Sequence, residues 1–151
     1  EIKECDWSSD VCSSDLMGWA KEVGVENVYT ADSIPWCALF VSVIMHRAGR
    51  EVVNQTLWAL NWNNFGVKVN QPMLGDVLTF SRNGGGHVGI YVGEDTAAYH
   101  VLGGNQGDKV SIVRIGKDRL SQARRPAYIN QPTNIRKIIL SSKGELSKNE
   151  A

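Results

Sequence analysis

The chain predicts an α+β domain, with helices first and an antiparallel sheet of about five strands after them. Three observations carry that expectation. Apolar residues recur at helical spacing as far as Gly49, the period changes to alternation beyond Pro72, and glycine-containing turns separate the alternating runs. A chain of 151 residues with 42% hydrophobic and 21% charged residues is one domain with a proper core, and its 15 glycines suit many turns.

The first sixteen residues stand apart. Asp6-Trp7-Ser8-Ser9-Asp10-Val11-Cys12-Ser13-Ser14-Asp15-Leu16 resembles the translated frame of a sequencing adapter, so residues 1–16 are read as foreign to the domain and disordered. On that reading Glu1 is no true start, Cys5 and Cys12 say nothing about redox compartment, and Cys37 is the cysteine left for chemistry. Residues 17–130 then form the domain and residues 131–151 an appendage.

Met17 to Val23 has helical spacing with Trp19 and Val23 on one side, and Gly24 would end it. Asp32 or Ser33 can cap the next helix, and Pro35 fits its first turn. Cys37, Phe40, Val41, Ile44 and Ala48 make one buried stripe before Gly49. Gln55 to Asn63 is expected as a further short helix, with Trp58 and Trp62 four residues apart as core side chains. Strands are expected at Asp76–Ser81, His87–Val92, Ala97–Leu102, Lys109–Ile115 and Ala127–Ile129, with turns at Asn83–Gly86 and Gly93–Asp95. Ile135–Leu140 would add an edge strand, and Ser141–Ala151 is polar enough for disorder.

Charge narrows the partners. The formal net charge is zero, but residues 1–16 hold five acids and one base, so the remainder carries 15 basic and 11 acidic residues. An excess of about four is too mild for nucleic acid, yet compatible with an acidic polymer. No apolar run approaches the roughly 18 residues of a membrane span.

Three residues suggest chemistry. Cys37 opens an apolar helix, where free N–H groups and the helix dipole favour thiolate. His87 enters a strand through a glycine loop, and Asn105 follows in Leu102-Gly103-Gly104-Asn105-Gln106. Cysteine, histidine and an orienting amide, in that order, suit nucleophilic acyl transfer. With a turn centred near Asp95, His87 lies opposite Gly103 and Asn105 is its diagonal neighbour on the same face. Gly89 beside His87 would leave room for the Cys37 helix to dock, and a one-residue slip would bring His100 to the His87 face instead.

Bland readings stand beside these. Taken alone, Cys37 is a core thiol, His87 closes a glycine turn and Asn105 is a turn residue. His46 reads as solvated, His100 as structural, Asp76 as a strand start or a partner for backbone donors, and Arg124 and Arg125 as exposed. Cys37, His46, His87 and His100 show no paired zinc-ligand spacing.

As a set, Ile34-Pro35-Trp36-Cys37-Ala38-Leu39-Phe40-Val41, Met73-Leu74-Gly75-Asp76-Val77-Leu78-Thr79-Phe80, Gly86-His87-Val88-Gly89-Ile90-Tyr91-Val92-Gly93, Leu102-Gly103-Gly104-Asn105-Gln106 and Arg124-Arg125-Pro126 resemble a phage-associated branch of the CHAP and NlpC-type cell-wall amidase/peptidase superfamily. The resemblance spans roughly Trp19 to Tyr128. It implies a papain-like fold, with the cysteine helix packed on the sheet that carries the histidine, and peptidoglycan amide bonds as substrate.

Carried over, Cys37 would be the nucleophile, His87 the acid and base, and Asn105 the orienter, with Trp36, Gly86 and Gln106 lining the cleft. Neither metal nor organic cofactor is implied. A monomer acting on the wall is expected, whether a phage lysis protein or a periplasmic or secreted enzyme. The alternative is a catalytically silent wall-binding or virion module of the same fold. Trp36 stands where many CHAP domains have glutamine, and Ala38-Leu39 where NlpC-type enzymes have Ser-Gly, so no oxyanion donor beyond the Cys37 N–H is assigned.

Overall fold

A computed structural model describes residues 13–29, 36–106 and 109–147. Its elements in order are α1 (Ser13–Glu22), α2 (Cys37–Arg47), a 3-10 helix (Ala59–Asn64), β1 (Val67–Val69), β2 (Val77–Arg82), β3 (Gly85–Glu94), β4 (Ala98–Gly103), β5 (Ser111–Gly116), a short 3-10 turn (Lys117–Arg119) and β6 (Leu120–Arg125). The fold is α+β, as the sequence predicts. Six strands form one antiparallel sheet in the order β1-β6-β2-β3-β4-β5.

Helix α1 begins before Met17. Leu16 is buried with Ala20 in the core, so the adapter-like segment supplies one packed side chain. Gly24, at φ +76, follows the helix as expected. Trp36 takes the N-cap position of α2 with no side-chain cap, while Asp32, Ser33 and Pro35 lie outside the described residues. Helix α2 is buried nearly all round, from Cys37 to Val43 and again at Met45, rather than along one stripe. The cause is sandwiching: α1 packs against the helix on one side, and β3 and β4 of the sheet on the other.

The two faces of the sheet carry separate clusters. Val77, Val88 and Ile90 pack with α2, whereas Leu78, Phe80, Tyr91, Tyr99 and Val101 form a second cluster on the other face. The expected strand Ala127–Ile129 is irregular, and Ile129 is fully exposed. Its place in the sheet goes to β6, whose polar sequence hides a structural role for two arginines. Arg125 clamps the buried Asp76 carboxylate through Nε and Nη2, both at 2.8 Å, and Arg124 Nε donates to the Phe65 carbonyl at 2.7 Å. Both arginines are therefore structural and not merely exposed.

The chain beyond β6 lies along the sheet as a strap. The Glu94 N–H donates to Ile138 O and the Leu140 N–H donates to Glu94 O, both at 2.8 Å, and the Ser147 N–H donates to Arg114 O at 2.7 Å. Isolated bridges at Ile139 and Leu146 replace the expected edge strand, so residues 141–147 are ordered against β5. Beneath it Asp95 is held by Arg114 (2.9 and 3.0 Å) and by His100 (2.7 Å), while Glu94 meets Lys117 at 2.5 Å and Tyr91 Oη at 2.9 Å.

Candidate active site

The register between β3 and β4 decides which residues meet. Ile90 pairs with Leu102 and Tyr91 with Val101, two residues displaced from the expected pairing, and a bulge at Val92 then sets Gly93 against His100. Parity near His87 survives that shift because it is even. His100 ends on the strap side bound to Asp95, a structural role as expected.

β4 ends at Gly103, so the first residues of β3 run on without it. The N-terminal end of α2 fills that gap. Helix α2 packs on β3, and the backbone N–H of Val88, next to His87 in that strand, is among the groups that act on the buried Cys37 thiol. Gly104 makes the approach possible: a Cβ there would stand 2.7 Å from both Phe40 Cβ and Trp36 Cζ3. Gly89 does not serve this purpose, because Val101 and Leu102 of β4 occupy the space beside it.

His87 is fully buried, its ring 6.4 Å from that of Phe80 at an interplanar angle of 29°. Its Nε2 lies 2.9 Å from Gln106 Oε1. The Gln106 amide nitrogen donates to Ser111 O at 2.7 Å, and flipping the amide would set two oxygens against each other. Oε1 can only accept, so the imidazole donates to it from Nε2. Gly103 opens the path, since a Cβ there would sit 2.5 Å from Gln106 Oε1.

Among the described hydrogen bonds none joins Asn105 to His87. Asn105 adopts φ +58, the left-handed turn that swings Gln106 back over the strand end. The amide that meets the imidazole is thus Gln106, one residue beyond Asn105. Gln106, placed by the sequence only in the cleft, could have been found from Gly103-Gly104, whose missing side chains admit a long amide.

Trp36 is also placed differently. It is 3% exposed and packs on Trp19 with ring centroids 6.3 Å apart, a core side chain and not an open cleft wall. Gly86 borders the site, its Cα facing Leu60 of the 3-10 helix. Trp62 is buried and donates to Thr56 O at 3.0 Å, whereas Trp58 is 68% exposed.

Cys37 is 5% exposed, and burial pushes its thiol pKa up. The Val88 N–H, the Arg82 charge and the N–H groups of Ala38 and Cys37 pull the other way without prevailing. The sequence expectation of a helix-favoured thiolate is therefore reversed by desolvation.

A thiol at the start of a helix packed on an antiparallel sheet, with a buried histidine held by an amide on the strand the helix packs against, is the layout of a papain-like fold. A family model for the CHAP domain matches residues 29–105, just over half of the chain, and the chain belongs to that family. CHAP domains are usually hydrolases acting on peptidoglycan. No curated protein gives a significant match to the chain. Among the described residues, no helix is long and apolar enough to cross a membrane.

Proposed function

We propose that this chain hydrolyses an amide bond of peptidoglycan, with Cys37 as nucleophile, His87 as general base and acid, and Gln106 as the residue positioning the imidazole. The observation that carries this reading is the buried pair of Gln106 with His87 of β3, the strand on which the Cys37 helix packs. Membership of the CHAP family supports the substrate class.

Burial favours the protonated thiol of Cys37. As the Cys37 sulfur attacks the carbonyl, its proton passes to His87 Nδ1, and the imidazolium N–H at Nε2 strengthens its bond to Gln106. The Cys37 N–H faces the developing oxyanion. His87 then returns the proton to the leaving amine, a thioester remains on Cys37, and water activated by His87 releases the acid. Phage lysis and bacterial wall remodelling are both settings for such a reaction.

The test is incubation of the purified protein with purified peptidoglycan, followed by mass spectrometry of the products. New amine and carboxyl termini are expected, and Cys37→Ala should abolish them while leaving the fold intact. If no wall material is cleaved between about pH 5 and pH 9, where a Cys/His pair is competent, and Cys37→Ala binds wall as tightly as the native chain, the protein is a silent wall-binding module.

A further inference from the structure

Arg82 is a cation beside the site that the fold leaves without an anionic partner. It closes β2 opposite Gly85, and β2 and β3 keep an unbroken register that sets Phe80 opposite His87. Residues directly opposite one another share a face, as do residues two apart along a strand, so Arg82, Phe80 and His87 stand on the same face. Arg82 Nε donates to the Gly86 carbonyl at 3.1 Å, which holds the guanidinium against the residue that precedes His87. Burial dominates the Cys37 thiol, and the charge of Arg82 is among the weaker effects that oppose it.

Other arginines of the fold are committed. Arg47 is tied to Glu22, Arg114 to Asp95, Arg125 to Asp76 and Arg124 to the Phe65 carbonyl. Arg82 differs: among the described residues no carboxylate pairs with it, and its two Nη groups enter none of the described hydrogen bonds. The approach to it is open. Asn83, Gly84 and Gly85 are exposed, and a Cβ on either glycine would meet no atom within 4 Å.

A half-buried guanidinium fixed through Nε still presents a planar pair of Nη donors, which matches the two oxygens of a carboxylate. A carboxamide offers the same fork one acceptor, no charge and an N–H group that faces other donors. We infer that Arg82 is a specificity-determining residue that binds a carboxylate of the substrate next to the scissile amide. The inference rests on the hydrolase reading and adds a selection to it: wall peptides with a free acid at that place are cut in preference to those whose acid is amidated. A cation that served only to draw the proton from Cys37 would act on every substrate alike.

The experiment compares initial rates of the native full chain on purified peptidoglycan before and after its free carboxyl groups are converted to amides with carbodiimide and ammonia. Untreated wall should be cleaved about tenfold faster, the lower end for a charge-assisted pair. Arg82→Gln should lose that advantage while keeping the rate on amidated wall, and Arg82→Lys, which retains the charge without the fork, should fall between the two. Lys68→Gln removes an exposed charge from the edge strand β1 and should keep the native ratio, which separates Arg82 from the general attraction of a cationic surface to an acidic wall. Equal rates of the native chain on the two walls overturn the inference. So does a loss of the same size on both walls in Arg82→Gln, or a ratio that falls as far in Lys68→Gln as in Arg82→Gln. If the native chain cleaves neither wall, the hydrolase reading fails, and sedimentation of the Cys37→Ala chain with the two walls decides the site by itself: tighter binding to untreated wall that Arg82→Gln removes upholds it, and equal binding overturns it.

Discussion

Replacing Gln106 by leucine isolates the contribution of the orienting amide. Two buried groups lose their partner, the His87 Nε2–H, bonded at 2.9 Å, and the Ser111 carbonyl, bonded at 2.7 Å. At about 1–3 kcal/mol for each unsatisfied group, stability should fall by about 2–6 kcal/mol, read as a shift in the urea midpoint. Catalysis should suffer separately. The bond to Gln106 is neutral at rest and charge-assisted once His87 holds the thiol proton, a gain of about 1–1.5 kcal/mol in the transition state, or about tenfold in rate. Loss of the tautomer preference should cost up to about another tenfold, so kcat should drop between about 10 and 100-fold with little change in KM. The 15N shifts of the imidazole at alkaline pH give a readout that a merely structural role would not move: Nε2–H in the native chain, a mixture in the variant. Asn105→Ala serves as the contrast and should keep kcat within about threefold. A folded Gln106→Leu protein with native kcat and native tautomer, or an Asn105→Ala protein that loses activity in its place, would refute the reasoning.

Three other outcomes follow from the same geometry. Because burial raises the Cys37 thiol pKa, alkylation by iodoacetamide should be slower at pH 7 than for free cysteine and should climb as pH passes the ordinary thiol range near about 8.5; fast labelling at neutral pH would contradict it. Gly104→Ala places a methyl 2.7 Å from Trp36 and Phe40, so it should cost about 1–3 kcal/mol and push α2 off β3, with wall hydrolysis falling further than the loss of folded protein explains; full activity would show that the helix docks elsewhere. Tyr91, its pKa pushed up to about 12 by burial and by the neighbouring Glu94 carboxylate, should ionise well above the ordinary tyrosine range in a titration at 295 nm, and the Tyr91→Phe variant should lack that late phase. The neutral phenol is the form favoured by folding, so its contribution to stability is complete below about pH 10 and is lost between about pH 10 and about 12; an unchanged titration in the variant would argue against the contact.

Most of the sheet was legible because β2 to β5 alternate, and α2 because Gly49 stops an unbroken apolar run. β6 was not, since Leu120-Ser121-Gln122-Ala123-Arg124-Arg125 spends its side chains on Asp76 and the Phe65 carbonyl, and buried ion pairs leave no hydrophobic period. The tail read as polar and unattached because its hold on the sheet is mostly main-chain hydrogen bonds, which composition does not encode. At the site, the parity of His87 was readable, but the choice between Asn105 and Gln106 was not. It depends on a strand that ends at Gly103 and on one left-handed residue, neither of which alternation specifies.

The state of Cys37 shows why position alone did not predict its chemistry. A helix terminus contributes about 0.3–1 kcal/mol toward an anion, and up to about 2 in a partly buried setting. Removal of a thiolate from water can cost several pKa units at about 1.4 kcal/mol each. With Cys37 at 5% exposure, the second effect exceeds the first even with help from Val88, Arg82 and two backbone N–H groups. On the proposed mechanism, an amide orienting His87 suits that outcome. A carboxylate at position 106 would favour an imidazolium and a preformed ion pair, whereas the neutral Gln106 amide adds no charge. The Cys37 thiol then keeps its proton until a carbonyl is in place, and proton transfer accompanies attack. Gln106→Glu is the variant that opposes this arrangement: it sets a carboxylate oxygen against the Ser111 carbonyl and favours charged His87, and should shift the acid limb of the kcat profile to higher pH while lowering its plateau. An unshifted limb would mean that position 106 does not govern the protonation of His87.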